Sequence, residues 1–272
     1  MYHQRIDLPT EGAYLETYFL DYSDRLRNSG SRPVVLICPG GGYGYTTDRE
    51  AEPIALAFAS RGYHAAVLRY PCAPVRYPAA LVSLCQAVVW LRAHAEEFHI
   101  DGSRLCVSGF SAGGHLAASL GVFWQEEFLH QLAGCTAEDI RPQALLLGYP
   151  VITNGPKGDG YSLRNLLGED APAEDFEFHS LEKRVTAHVP PTFIWSTDTD
   201  ELVPIENTFL FSAALCRAGV SQEVHVYSLG EHGLGLSNAV TEDTLPGKAR
   251  VCPDCESWID LAGRWLRRQF GI

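Results

Sequence analysis

Short apolar segments alternate with helical patterns along this chain, and this alternation limits the fold more than any other feature of the sequence. Apolar runs bounded by turn residues predict strands at 34–39, 64–70, 104–110, 144–150, 191–196 and 223–228. Between them, apolar residues at three- and four-residue spacing predict helices at about 49–61, 78–98, 112–123, 204–218 and 256–270. Strands and helices in turn predict an α/β fold, with a mostly parallel central sheet and helices on both faces.

Two segments lie outside this alternation. The first residues, with AYLETYFLDY at 13–22, predict an antiparallel strand at the sheet edge. Residues 151–189 are rich in Gly, Pro, Asp and Glu, and long irregular insertions in compact domains commonly form lids or binding loops. We therefore expect one domain over residues 1–272, with a small cap insertion at 151–189.

The composition disfavours several classes of partner. The net charge is −12, with acidic residues scattered along the chain, whereas a nucleic-acid partner requires a basic surface. No stretch approaches the roughly 20 apolar residues of a membrane span, so we expect no membrane partner. The first residues lack a basic segment followed by an apolar one, and no secretory signal is predicted.

The chain has eight cysteines, several of them inside apolar runs, where a reduced cysteine behaves as a small hydrophobe. Only Cys252 and Cys255 have paired spacing. They lack a second Cys or His pair, so we predict no metal site. We interpret them as a loop that turns into a helix, with a redox pair as the alternative. Without a signal or a disulfide framework, we expect a reducing, cytoplasmic setting.

The segment Gly109-Phe110-Ser111-Ala112-Gly113 lies between a predicted strand and a predicted helix. It fits the G-x-S-x-G pattern of a nucleophile elbow, a sharp turn that exposes a serine hydroxyl. A side chain at Gly109 or Gly113 would collide with this turn or with the neighbouring strand. Serine is a weak nucleophile unless a base activates it and an acid orients that base, so the sequence should contain both partners. In folds with such an elbow, the serine comes first along the chain, the acid second and the histidine last.

Two histidines, one within the last predicted strand and one just beyond it, are candidates for the base. His225 lies within the strand EVHVYS, which favours a structural role. His232 lies in the glycine-flanked loop LGEHGLGL, beyond the strand end, where open sheets bind ligands. The preceding loop offers three acids. Asp200, which stands just before the next predicted helix, is favoured, while Asp198 and Glu201 remain alternatives.

A glycine-rich loop, CPGGGYGY at 38–45, follows the first parallel strand. Attack on an acyl carbon forms an oxyanion that backbone N–H groups must meet, and glycine lets the backbone approach a ligand closely. The alternative is a phosphate cradle. The loop matches neither G-x-G-x-x-G nor G-K-[ST], so we predict no nucleotide and no other cofactor.

These segments together resemble the α/β-hydrolases of the esterase/lipase group with a GGG oxyanion loop. More narrowly, the chain is similar to the acetyl-esterase-like hydrolases, carbohydrate esterases often linked to acetylated plant polysaccharides. The segments that carry the resemblance are CPGGGY, REAEPIALAFASRGYHAAVLRY, GFSAGGHLAASL, PPTFIWSTDTDELVPIENTFLFSAAL and HVYSLGEHGLGLS. The resemblance implies an α/β-hydrolase fold.

The resemblance also implies roles for individual residues. Ser111 would be the nucleophile, Asp200 the acid and His232 the base. The oxyanion-hole donors would be Gly40, Gly41 and Ala112. The chain departs from the family at Pro39, which stands where a histidine often begins the glycine loop. This departure leaves open which of Gly40, Gly41 and Gly42 is the donor.

The implied function is hydrolysis of short-chain carboxylic esters, with acetylated sugars or xylo-oligosaccharides as the small-molecule substrates. Three alternatives remain: a broader carboxylesterase or lipase-like hydrolase, a peptidase-like hydrolase, and a non-catalytic ligand-binding protein on the same fold. Both a monomer and an oligomer are compatible with the sequence.

Overall fold

The structure, a computed structural model, describes residues 1–244 and 250–272. Within these residues eight strands form one sheet, in the order β1-β2-β4-β3-β5-β6-β7-β8. The strands are β1 (Arg5–Asp7), β2 (Tyr14–Tyr18), β3 (Arg32–Cys38), β4 (His64–Arg69), β5 (Ile100–Phe110), β6 (Ala144–Gly148), β7 (Thr192–Thr197) and β8 (Gln222–Tyr227). Strand β2 pairs antiparallel with β1 and β4, and strands β3 to β8 are parallel to one another.

Helices cover both faces of the sheet. They are α1 (Glu52–Ala59), α2 (Ala79–Ala93), α3 (Ala95–Phe98), α4 (Ala112–Phe123), α5 (Glu127–Ala133), α6 (Ala137–Ile140), α7 (Gly160–Leu167), α8 (Ala173–Phe178), α9 (Glu206–Arg217) and α10 (Trp258–Phe270). Apolar residues of α2, α4 and α9 contribute to the core on one face, and those of α1 and α10 to the core on the other.

Strand β3 shows why the inner parallel strands are nearly continuous in apolar residues. Val34 and Leu36 belong to one core, whereas Val35 and Ile37 belong to the other. Successive side chains of a strand point to opposite faces, so a strand covered on both faces needs an apolar residue at each position. The mostly parallel sheet predicted from the sequence is therefore confirmed.

The structure differs from the sequence expectations in three places. The predicted helix 78–98 is divided into α2 and α3 at His94, whose Nδ1 lies 2.9 Å from the Trp90 carbonyl oxygen and takes part in ending the first helix. The N-terminal segment forms two strands, β1 and β2, rather than one. The short helices α5 to α8 were not predicted, because each is too short to establish a clear periodicity.

The segment 151–189 carries α7 and α8 and lies beside the glycine loop. Asn165 Nδ2 donates a hydrogen bond to the Gly42 carbonyl oxygen at 2.8 Å. Among the described residues, no helix has the length and apolar character needed to cross a membrane.

Three buried histidines are held as neutral rings. His64 Nδ1 accepts from the Leu20 N–H at 3.0 Å, which requires an unprotonated nitrogen. His115 lies between the Tyr43 hydroxyl and the His179 carbonyl oxygen. Burial lowers the pKa of His64 and of His115 to about 4, and burial together with the neighbouring His115 lowers the pKa of His179 to about 3.

Acidification below pH 6.5 is expected to lower the free energy of unfolding. The unfolded chain protonates these histidines near pH 6.5, while the folded chain keeps them neutral to about pH 4 for His64 and His115. Their stabilising contribution is therefore complete above pH 6.5 and is lost as the pH falls towards 4. Each histidine that takes up a proton on unfolding changes the free energy of unfolding by about 1.4 kcal/mol per pH unit.

Urea unfolding at pH 7.5, 6.0 and 5.0 measures this slope. His64→Gln provides the matched variant, because glutamine can donate and accept hydrogen bonds but does not titrate in this range. A wild-type slope of zero, or one that His64→Gln leaves unchanged, would contradict the assignment.

Candidate active site

Ser111 occupies the sharp turn between β5 and α4. Its φ of 55° and ψ of −123° lie outside the regions favoured by residues with side chains. Its N–H donates to the Gly148 carbonyl oxygen at 3.0 Å, which ties the turn to the end of β6. Such strain persists only where the surroundings determine the conformation, and it is typical of functional positions.

Glycine is required on both sides of this serine. A Cβ atom at Gly109 would lie 2.0 Å from the Gly113 carbonyl oxygen. At Gly113 it would lie 2.1 Å from the Cys38 carbonyl oxygen, at the end of β3. Both distances are far below a van der Waals contact, so the two glycines allow α4 to begin directly against the sheet.

His232 joins Ser111 to Asp200. Its Nε2 lies 2.7 Å from Ser111 Oγ, and its Nδ1 lies 2.6 Å from Asp200 Oδ2. When Nδ1 carries the proton, it donates to the carboxylate and leaves Nε2 free to accept from the serine hydroxyl. The imidazole is thus oriented as a general base requires.

Asp200 is fixed by the backbone as well as by His232. Its Oδ1 accepts from the N–H groups of Leu202 and Val203 at 3.0 and 2.9 Å. The side chain is fully buried, so three donors meet a carboxylate that has no access to water. These contacts leave one carboxylate oxygen for the histidine.

The residues considered as alternatives lie elsewhere. Asp198 and Glu201 are exposed, and Asp200 is the carboxylate that contacts His232. His225 contacts Glu223 at 3.0 Å and packs on Phe193 with the ring centroids 5.0 Å apart. These are the contacts of a structural residue within β8.

The glycine loop differs from the expectation at Gly40. The Gly40 N–H donates to Glu50 Oε2 at 2.8 Å and is therefore already used. The Gly40 carbonyl oxygen accepts from the Thr47 N–H at 2.9 Å. Because the two groups of a trans peptide point in opposite directions, the Gly41 N–H is turned away from Thr47. Gly41 lines the same cavity as Ser111.

The Ala112 N–H is the first amide of α4. The Ser111 carbonyl oxygen accepts from the N–H groups of His115 and Val151, both at 3.1 Å. This arrangement turns the Ala112 N–H of the same peptide the opposite way, and the first amides of a helix have no partner within it. The helix N-terminus also carries partial positive charge, which favours an anion.

A cavity of about 240 Å³ opens above these groups. It is lined by Ser111 and His232, by Gly41 and Gly42 of the glycine loop, and by Asp159 and Tyr161 of the 151–189 segment, together with Tyr45, Thr47, Arg49, Glu50, Leu202, Gly233 and Arg250. Tyr45 and Tyr161 are exposed to solvent. Tyr43, Tyr149 and Trp195, also aromatic residues near the strand ends, are instead buried.

Two adjacent residues of this site were not predicted from the sequence. Arg49 Nε donates to the Gly233 carbonyl oxygen at 2.7 Å and so contacts the loop that carries His232. Glu50 is buried and accepts from Gly40 and from the Tyr149 hydroxyl. Both residues stand in a charged segment before α1, where the sequence pattern gives no signal that one side chain is buried.

Cys252 and Cys255 lie in the turn that precedes α10. Their Sγ atoms are 3.4 Å apart, and both thiols contact the Leu229 carbonyl oxygen. Burial raises the pKa of the Cys255 thiol. Over residues 1–244 and 250–272, no cluster of three or more His, Cys, Asp or Glu side chains could hold a metal ion.

Comparisons with known proteins identify the family of this chain. Residues 20–215 match the family described as BD-FAE. Endo-1,4-beta-xylanase B of Butyrivibrio fibrisolvens is 36% identical over 214 residues, which are 76% of this chain and 33% of that protein. This chain therefore spans about a third of the length of that curated relative.

Two solved structures are similar over nearly the whole chain. The acetyl ester-xyloside bifunctional hydrolase of Caldicellulosiruptor lactoaceticus has a TM-score of 0.79 and 33% identity, with 95% of this chain and 88% of that chain covered. The carboxylesterase Cest-2923 of Lactobacillus plantarum WCFS1 has a TM-score of 0.86 and 31% identity, with 99% and 98% covered. These similarities confirm the predicted α/β-hydrolase fold.

Gly113→Ala is expected to lower the free energy of unfolding by about 3 kcal/mol or more, because the added Cβ meets a backbone oxygen that cannot move without displacing β3. Gly30→Ala is the matched control, since its added Cβ would meet Tyr22 at an ordinary 3.7 Å. Urea denaturation of both variants measures the difference. Equal stabilities would contradict the close approach of α4 to β3.

Proposed function

This chain belongs to the BD-FAE family of α/β-hydrolases, and on this premise we propose that it hydrolyses short-chain carboxylic esters by acyl transfer through Ser111, His232 and Asp200. One observation carries the proposal: His232 bonds Ser111 Oγ through one ring nitrogen and Asp200 through the other. An unactivated serine hydroxyl does not attack esters at a useful rate, and this contact provides the base that it needs.

The reaction proceeds in two steps. As Ser111 Oγ attacks the carbonyl carbon, its proton passes to His232 Nε2. Asp200 holds Nδ1 and stabilises the imidazolium that forms. His232 then gives the proton to the leaving alcohol oxygen, which departs as the tetrahedral intermediate collapses to an acyl-enzyme. Water, deprotonated by His232, attacks the acyl carbon, and the second collapse releases the acid and returns the proton to Ser111.

The negative charge that develops on the carbonyl oxygen needs donors placed before the reaction begins. Gly41 and Ala112 N–H groups fill this role in the proposal. The hydrogen bonds of the Gly40 and Ser111 carbonyl oxygens orient both of these amides. Fixed donors need no reorganisation as the charge appears, which is the origin of their catalytic effect.

The size of the cavity favours a small acyl group. About 240 Å³ is below the roughly 300–1,000 Å³ typical of pockets for drug-sized ligands. Tyr45 and Tyr161 offer exposed rings beside the nucleophile, and a tyrosine combines an apolar face with a polar tip. The similarity to the acetyl ester-xyloside hydrolase supports an acetylated sugar or xylo-oligosaccharide as the substrate.

Within a single domain over residues 1–272, the segment 151–189 acts in this proposal as a cap. Tyr161 and Asp159 line the cavity, and Asn165 is bonded to Gly42. A Cβ at Gly42 would lie 2.5 Å from the Tyr161 ring, so the cap and the glycine loop are in close contact. In this proposal the cap residues contact the alcohol part of the ester, and the loops that follow the strands contact its acyl part.

Ser111→Ala is expected to reduce kcat on p-nitrophenyl acetate by about 10⁶-fold, and Asp200→Asn by about 10⁴-fold, because the first removes the nucleophile and the second the acceptor that fixes the histidine tautomer. Asp198→Asn, two residues away and exposed, should stay within about twofold of the wild type. Folding of each variant is checked by circular dichroism. Substantial turnover in Ser111→Ala would exclude the mechanism.

A chain-length series tests the substrate class. With p-nitrophenyl esters from C2 to C12, kcat/KM should be highest at C2 and fall at least about tenfold by C8, because long acyl chains exceed the cavity. Release of acetate from acetylated xylo-oligosaccharides tests the sugar. A maximum at long chains would contradict the small acyl pocket, and failure to release acetate from the oligosaccharides would contradict the sugar alcohol.

A further inference from the structure

A buried carboxylate links the glycine loop to the loop that carries His232. Glu50 Oε2 accepts from the Gly40 N–H at 2.8 Å, and Oε1 accepts from the Tyr149 hydroxyl at 2.7 Å. The Tyr149 hydroxyl in turn accepts from the Gly235 N–H at 3.0 Å. We propose that Glu50 is a positioning residue for ester hydrolysis, because it fixes both the oxyanion donor and the general base relative to Ser111. This inference rests on the proposed function.

The burial of Glu50 is the first reason for this assignment. The residue is 1% exposed, and a buried carboxylate is costly unless it is hydrogen-bonded. Both of its oxygens accept, as in the ionised form. Hydrogen bonds to an ionised acceptor are roughly twice as strong as neutral ones, so they hold their donors firmly. Replacement by an apolar side chain would leave two buried donors without partners.

The contact with Gly40 determines which amide is left for the substrate. With its N–H held by Glu50 and its carbonyl oxygen held by Thr47, Gly40 has both backbone groups engaged. The peptide that joins Gly40 to Gly41 therefore has a fixed plane. The Gly41 N–H is the donor of that peptide, and Glu50 acts on it through the neighbouring Gly40 N–H.

The contact with Tyr149 acts on the base. Gly235 follows His232 by three residues, and its N–H is held by the Tyr149 hydroxyl. The Tyr149 ring also packs edge-on to the His232 ring, with the centroids 5.0 Å apart. Burial, with Glu50 as the next cause, raises the pKa of Tyr149 well above its usual value, so the phenol remains a donor to the carboxylate.

The position of Glu50 predicts how its replacement affects kcat and KM. Its carboxylate engages the Gly40 amide and the Tyr149 hydroxyl, neither of which is a reacting group. A residue that places transition-state contacts lowers kcat when it is changed and leaves substrate affinity largely intact. General loss of folding would instead reduce the active fraction without this pattern, because the remaining folded molecules would keep their kcat.

The test measures kcat and KM on p-nitrophenyl acetate, per active site titrated by burst kinetics, for Glu50→Gln, Tyr149→Phe and the double variant. Two controls match the chemistry of these changes. Tyr63→Phe removes another buried hydroxyl, one that donates to the Gly263 carbonyl oxygen at 3.3 Å. Glu52→Gln removes a carboxylate that accepts from the Tyr18 hydroxyl at 3.4 Å, two residues from Glu50.

Glu50→Gln is expected to lower kcat by about 10²-fold with KM within about threefold, because a shift of about 1 Å in a positioned group has this cost. Tyr149→Phe should lower kcat by about tenfold. The double variant should lose less than the product of the two, since the changes share one network. Both controls should keep kcat within about twofold of the wild type.

Wild-type kcat in both Glu50→Gln and Tyr149→Phe would overturn the positioning role, and so would an equal loss in Tyr63→Phe. If Glu50→Gln fails to fold, Tyr149→Phe decides the matter, because it keeps the ring contact and removes only the hydroxyl. These outcomes are separable from failure of the proposed function. If the proposed function is wrong, the esterase activity survives Ser111→Ala. If only the positioning role is wrong, the activity depends on Ser111 but is insensitive to Glu50→Gln.

Discussion

The hydrogen bonds of His232 hold the candidate active site together. One ring nitrogen contacts Ser111 and the other contacts Asp200, so a single imidazole connects loops that follow three different strands. Parallel strands make this possible, because their carboxyl ends meet at one edge of the sheet. The fold therefore supplies proximity, and the loops need only adjust orientation. A shift of any one loop would break the chain of contacts.

Orientation comes from a second layer of contacts behind these residues. Backbone amides hold Asp200, and Arg49 and Glu50 hold the loops on either side of Ser111. Most of these groups are shielded from water, where hydrogen bonds are electrostatically stronger and unpaired polar groups are costly. Such a network favours one arrangement over its neighbours. The strained backbone of Ser111 is stable for the same reason, because surrounding contacts leave it no alternative.

Much of this architecture can be predicted from the sequence, and the remainder has a physical reason for escaping prediction. The parallel strands are recognisable because both faces are buried, and Ser111 and His232 are recognisable because glycines flank them. The sequence favoured Asp200 by its place before the next helix but left Asp198 and Glu201 open, because all three lie on one loop. The structure shows that Asp200 is the carboxylate in contact with His232. The engagement of the Gly40 amide by Glu50 could not be seen, because a buried carboxylate looks like a solvated one in the sequence.

A crystal structure of the protein inactivated by a fluorophosphonate would test the proposed roles of Ser111, Gly41 and Ala112, because the adduct mimics the tetrahedral intermediate. We expect a covalent bond from phosphorus to Ser111 Oγ, with the phosphonyl oxygen about 2.7–3.1 Å from the amides of Gly41 and Ala112. The Gly40 amide should remain on Glu50. Modification of another residue, or a phosphonyl oxygen that points into solvent away from both amides, would contradict the proposed mechanism.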